Sequence, residues 1–258
     1  MLIDTHSHLY ASQFDEDRDQ EVAKCLEAGI QKILLPNIDK NSIEGMHHLV
    51  DKYPNVCFPM MGVHPCHVLP DVWQEEMSIA KKHLFEKTRK YIAVGEIGID
   101  LHWDKTTLGI QQEAFREQIK WAKELKLPIV IHARDSFDEI FEIVDDLNDD
   151  SLTGVFHCFT GTKAQAEKII NYGGFKIGIG GVVTFKNSGV DKAIEGLDLK
   201  HFILETDAPY LAPTPYRGKR NQSSYLTLVA GKLVNVFGVS YQEIAKITTA
   251  NANELFKL

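Results

Sequence analysis

The segment Ile129-Val130-Ile131-His132, followed by the amphipathic stretch Ser136–Leu147 and then by Leu152–His157, decides how this chain folds. Two short apolar runs, each closing on a histidine, flank one helical pattern. Apolar runs without polar alternation suit strands buried on both faces, as a parallel sheet requires. The same unit recurs outward in both directions. Candidate strands precede it at Leu2–Thr5, Lys32–Pro36, Val56–Gly62 and Tyr91–Ile97, and follow it at Phe175–Ile179 and Phe202–Glu205. Further helical patterns cover Gln20–Ala28, Gln111–Leu125, Lys163–Tyr172, Ser223–Phe237 and Tyr241–Phe256. Gly29 and Gly238 stand where helix C-terminal caps belong, and Pro128 stops the helix before it. Alternation of this kind predicts an α/β fold with a parallel sheet. Eight strands favour a (β/α)8 TIM-type barrel, one domain over residues 1–258. An open doubly wound sheet would need GxGxxG after the first strand, which is missing.

Composition narrows the class without naming an activity. A chain of 258 residues, 44% hydrophobic and 25% charged, can bury a large core without staples. Cys25, Cys57, Cys66 and Cys158 form no CxxC pair, which predicts a reducing, cytoplasmic setting. The N-terminus lacks a basic region followed by an apolar one, so a signal peptide is not expected. No apolar run approaches the roughly 18 residues of a membrane span, so no membrane partner is expected. The formal charge of −8 disfavours coating nucleic acid by bulk electrostatics. A phosphate-bearing substrate would have to be held locally.

Residues able to bind metal fall at one place in the pattern. His6 and His8 follow the first strand and His64 the third; Glu96 ends the fourth, His132 the fifth and His157 the sixth; Asp207 lies just past the eighth. In a barrel these strand ends meet at the C-terminal mouth, where active sites of this fold lie. Residues i and i+2 of an extended segment share a side, so His6 and His8 can face one ion. Glu96, in an apolar, glycine-flanked strand end, either pairs with a buried Arg or Lys or bridges two metals. A lone histidine ending an apolar run is more often a satisfied core residue; His132 and His157 together, beside His-Ser-His, favour ligation. Asp207 is the carboxylate for ligation and for taking the proton of an attacking water. Glu205 either orients a ligand or water or pairs with a cation inside the barrel. His47, His48 and His83 lie in helical stretches and read as surface residues, and His64 as a substrate contact.

Taken together these residues resemble the TatD-like metal-dependent deoxyribonucleases of the amidohydrolase superfamily. The resemblance runs through Ile3-Asp4-Thr5-His6-Ser7-His8, Gly62-Val63-His64-Pro65, Val94-Gly95-Glu96-Ile97-Gly98, Ile131-His132-Ala133-Arg134 and Phe156-His157-Cys158-Phe159-Thr160-Gly161. It continues through Leu204-Glu205-Thr206-Asp207-Ala208-Pro209-Tyr210-Leu211 to Pro215-Tyr216-Arg217-Gly218-Lys219-Arg220-Asn221. It implies a two-metal site on His6, His8, Glu96, His132, His157 and Asp207, and hydrolysis of DNA, often 3′-to-5′ on single strands. Tyr10 stands where this family commonly has Asp or Asn, and Ser223 where it often has Pro.

The chemistry expected is two-metal hydrolysis. Two divalent ions roughly 3.5–4 Å apart would share Glu96 and acidify a water whose proton goes to Asp207. Imidazoles suit Zn or Mn, and Mg could take a weaker position. Arg134, Arg217, Lys219 and Arg220 are the candidate phosphate contacts, and Trp103, Tyr210 and Tyr216 could stack a base. Two rival readings keep the barrel: hydrolysis of a carboxylic ester or amide, such as a D-aminoacyl-tRNA or a lactone, and a non-enzymatic metal-binding partner.

Overall fold

A computed structural model describes residues 1–86 and 88–258. It contains eight strands: β1 (Leu2–Asp4), β2 (Ile30–Leu35), β3 (Cys57–Pro59), β4 (Val94–Asp100), β5 (Ile129–Arg134), β6 (Gly154–Phe156), β7 (Phe175–Ile179) and β8 (Phe202–Leu204). Every strand pairing is parallel, in a β1-β2-β3 ladder and a β4-β5-β6-β7-β8 ladder. Main-chain hydrogen bonds stitch the two seams. Between β3 and β4, Ile92 N donates to Pro59 O (3.0 Å) and Gly95 N to Met61 O (3.0 Å). Between β8 and β1, Thr5 N donates to Leu204 O (3.0 Å), Asp207 N to His6 O (2.9 Å) and His8 N to Ala208 O (2.7 Å). The expected ring of strands is therefore present as an α/β barrel.

The helices are α1 (Arg18–Glu27), α2 (Ile43–Lys52), α3 (Trp73–Phe85), α4 (Leu108–Leu125), α5 (Phe137–Leu147), α6 (Lys163–Asn171), α7 (Val190–Ile194), α8 (Leu226–Phe237) and α9 (Tyr241–Phe256). Gly29 and Gly238, at φ 81° and 67°, take the left-handed turns expected of them. Among the described residues, α2 and α3 are the helical stretches expected around His47, His48 and His83, and the five-residue α7 lies outside the expected set. The stretch Ser223–Phe237 divides into a 3-10 turn at Ser223–Tyr225 and then α8. His47 is not a plain surface residue: half-buried, it sets Nε2 2.8 Å from the Tyr91 hydroxyl.

Two apolar clusters follow from the strand period of two. Outward-facing residues such as Ile33, Leu35, Ile129, Ile131, Phe156, Phe202 and Leu204 pack under the helices. The alternate residues Ile3, Leu34, Met60, Ala93, Val130, Val155 and Ile203 fill the barrel interior, joined by Ala252, Leu255 and Phe256 of α9. The C-terminal helix thus stoppers the end of the barrel away from the strand C-termini.

That interior layer positions what lies above it. His132, His157 and Glu205 each come two residues after an interior residue (Val130, Val155 and Ile203), so they point to the axis one step higher. In β4 the pairing register shifts between Val94 and Ile97, which puts Glu96 rather than Gly95 into that layer. Gly98, paired with His132, takes φ 143°, and a Cβ there would run into the His132 carbonyl oxygen. Gly98→Ala should therefore cost about 1–3 kcal/mol from overpacking, with backbone strain added. Urea unfolding checks this, and a variant as stable as the parent would remove Gly98 from its role in seating His132.

Candidate metal centre

Glu96 is the hub. Its carboxylate is buried, and among the described residues no lysine or arginine pairs with it. Of the two readings of Glu96, the buried salt bridge to Arg or Lys is thus not what the structure contains. Imidazoles surround it instead, divided between its two oxygens. Oε2 lies 3.1 Å from His6 Nε2 and 3.6 Å from His8 Nε2. Oε1 lies 2.7 Å from His132 Nδ1 and 2.9 Å from His157 Nε2. Asp207 closes the Oε2 side, with Oδ1 3.5 Å from His8 Nε2 and 3.8 Å from His6 Nε2. It reaches that place through a left-handed turn (φ 58°) past β8, not by continued strand alternation from Glu205.

These spacings fit a divalent ion. Ligands at 2.0–2.1 Å from a tetrahedral ion stand about 3.3 Å from one another, and the Oε2-side distances of 3.1–3.8 Å bracket that edge. The donor set of imidazole and carboxylate suits zinc or manganese. The electrostatics agree. Burial pushes Glu96 up, yet His157, His64 and His6 around it bring its carboxyl well below the usual range. Burial pushes His157 down, yet Glu96 and Glu205 carry it well above an ordinary imidazole. A pocket that raises the affinity of an imidazole for a proton favours positive charge, which an ion can supply.

Hydrogen bonds fix which nitrogen of each ring is free. Tyr10 donates its hydroxyl proton to Pro36 O (2.5 Å), so its oxygen accepts from His8 Nδ1 (2.9 Å), leaving His8 Nε2 a bare lone pair. Asp100 accepts from His132 Nε2 (2.9 Å), freeing His132 Nδ1 toward Glu96. Burial raises the Asp100 carboxyl, but the His132 bond takes it down to about 2, so it stays an ionised acceptor. His64 instead turns its protonated nitrogen toward Glu96. Cys66 N donates to His64 Nδ1 (3.1 Å), so the ring proton sits on Nε2, 3.3 Å from Glu96 Oε1. Burial lowers His64 to about 4, which keeps its ring neutral, and His64, Glu96 and His132 also stand close enough together to hold an ion.

The expected cations separate. Arg134 is exposed beside the mouth, its guanidinium 5.4 Å from the Trp103 ring. Arg217 is exposed and lies over Phe185 at 4.1 Å, and Lys219 is exposed. Arg220 is otherwise engaged: it pairs through both nitrogens with Asp17 (2.7 and 2.5 Å) and covers Phe14, pinning the segment after β8 to the one after β1. Sequence reasoning passed over Asp100, and noted Tyr10 without giving it a role. Asp100 was readable, because Glu96-x-Gly98-x-Asp100 sets both carboxylates on one strand face astride His132. Tyr10 was not, since its partner Pro36 comes from another strand end. Adding manganese or zinc at 100 times its Kd should stabilise the protein by about 2.7 kcal/mol per site. Thermal unfolding should show that rise greatly reduced in Glu96→Gln; an equal rise would place the ion elsewhere.

Comparison with known proteins supplies the family. Residues 3–257 match the family model of the TatD related DNases. An uncharacterized metal-dependent hydrolase of Bacillus subtilis, YabD, is 35% identical over 259 residues, covering all of both chains. The protein named 3′-5′ ssDNA/RNA exonuclease TatD in Erwinia billingiae is 30% identical over 263 residues, covering 100% of this chain and 99% of that one. The crystal structure of YjjV, a TatD homologue from Escherichia coli, superposes with a TM-score of 0.91 at 30% identity, covering 100% and 98% of the two chains. The chain belongs to the TatD-related DNase family and is a metal-dependent hydrolase.

Proposed function

We propose that this hydrolase cleaves phosphodiester bonds of DNA, shortening single strands from the 3′ end, with two divalent ions (zinc, manganese or magnesium) in one barrel domain. The observation that carries this reading is the division of Glu96: one oxygen faces His6, His8 and Asp207, the other His132 and His157. A carboxylate split between two donor sets is what a bridging ligand requires. The chemistry supplied by ions in those positions is acidification of water and neutralisation of phosphoryl charge. Relatives named as single-strand exonucleases support the substrate class.

The chain's own groups then take distinct tasks. Burial raises the Asp207 carboxyl, but His8, His157 and His6 bring it below its ordinary value, so it is ionised and can take a proton from the attacking water. Neutral His64 directs an N–H into the centre, where it can donate to a phosphoryl oxygen. Arg134, Arg217 and Lys219 hold the backbone phosphates, and Arg220 holds the loop that carries the last two. Trp103 (73% exposed) and Tyr210 (46% exposed) offer faces for base stacking. With a charge of −8, affinity rests on these few cations rather than on the bulk field.

Metal-stripped protein reloaded with Mg, Mn or Zn should shorten 3′-labelled single-stranded DNA progressively. Asp207→Asn should slow this about 10²–10⁴-fold, the range of a lost general base. Bound metal with no DNA cleavage would contradict the proposal and turn attention to carboxylic esters or amides. Arg134→Ala should flatten the dependence of log affinity on log salt by about 0.7, one phosphate contact on a single strand. An unchanged slope would take Arg134 off the phosphate path.

A further inference from the structure

We propose that Glu205 is a positioning residue that fixes one imidazole from each of the two ion positions and thereby couples them; this rests on the two-ion reading above. Each ring around Glu96 presents one nitrogen to that carboxylate, and the far nitrogen needs an acceptor if the near one is to stay unprotonated. His8 and His132 have private acceptors, Tyr10 and Asp100. His6 and His157 have none of their own.

Their rings stack at 3.8 Å between centroids, 10° from parallel, and both turn Nε2 toward Glu96, so both Nδ1 atoms face away from it. A nitrogen of each ring and an oxygen of Glu205 lie within 4.8 Å of one another. Glu205 Oε1 accepts from Cys158 N and lies 3.3 Å from His157 Nδ1. His6 Nδ1, His157 Nδ1 and Glu205 Oε2 are all buried without any hydrogen-bond partner. A third cation at this triad is excluded by proton count: rings that ligate through Nε2 carry hydrogen on Nδ1, and an N–H is no ligand. Two buried N–H groups aimed inward call for one acceptor with two oxygens, and Glu205 has no lysine or arginine partner among the described residues to compete for it. Its slot is carved by Gly178, where a Cβ would overlap the Glu205 carboxylate.

His6 belongs to the Oε2 side of Glu96 and His157 to the Oε1 side. Glu205 therefore sets the tautomer on both sides at once, and filling one position presets the ring of the other. The test is calorimetric titration of the metal-stripped full chain with manganese alone. Glu205→Gln should weaken both binding steps about 10–100-fold, the usual effect of losing a partner behind a ligand, while Asp100→Asn weakens one. A merely structural Glu205 would lower stability and leave the affinities of the folded variant unchanged. Weakening of one step or none in Glu205→Gln overturns the coupling and leaves the two-ion reading intact. Fewer than two manganese ions on the parent protein overturns that reading, and the coupling with it. Should Glu205→Gln not fold, 1H–15N NMR of the zinc-loaded parent decides: Nδ1–H protons of both His6 and His157 shifted far downfield by bonding to a carboxylate support the proposal, and the absence of that shift on either ring overturns it.

Discussion

A carboxylate buried without a cationic side chain sets the terms for the whole molecule. Isolating an ionised carboxylate from water is costly unless charge or donors are brought to it. Around Glu96 the protein supplies imidazoles from β5 and the segments after β1, β3 and β6, with no lysine or arginine paired to it among the described residues. That choice makes the cluster dependent on positive charge from outside. It also explains why the centre is assembled from so many strand ends, since a barrel mouth brings distant strands to one axis.

The outer partners decide what each ring can do. Tyr10 and Asp100 leave His8 and His132 with a lone pair facing inward, whereas Cys66 N leaves His64 with a proton facing inward. Rings of one residue type, a few ångströms apart, thus divide into those with a lone pair and one with a proton facing Glu96, through a single hydrogen bond each. The same logic runs down to the backbone. Gly98 lets His132 come close to β4, and Asp4 accepts from the Thr206 hydroxyl (2.6 Å) and Thr206 N (2.9 Å), tying the segment that carries Asp207 to the end of the strand that leads into His6.

Most of this layout could be read from residue order. Apolar runs ending in His132 and His157 report strands whose alternation carries the histidines inward above Val130 and Val155. The helix that escaped notice, α7, is the one whose local pattern is weakest: it has five residues and starts on a left-handed Gly189. Arg220 illustrates what pattern cannot supply. Its place in a basic run suggested phosphate, but Asp17, 203 positions away in sequence, claims it. Asp207 shares that lesson, because a turn with φ 58° rather than strand period delivers it to the centre. Tertiary partners, unlike periodicity, leave no mark in a single sequence.

The central claim is that Glu96 divides two cation positions. Anomalous diffraction from crystals grown with zinc or manganese tests it most directly. The account predicts two peaks, one among His6, His8, Asp207 and Glu96 Oε2, the other among His132, His157 and Glu96 Oε1. A single peak, or peaks that do not flank Glu96, would contradict it.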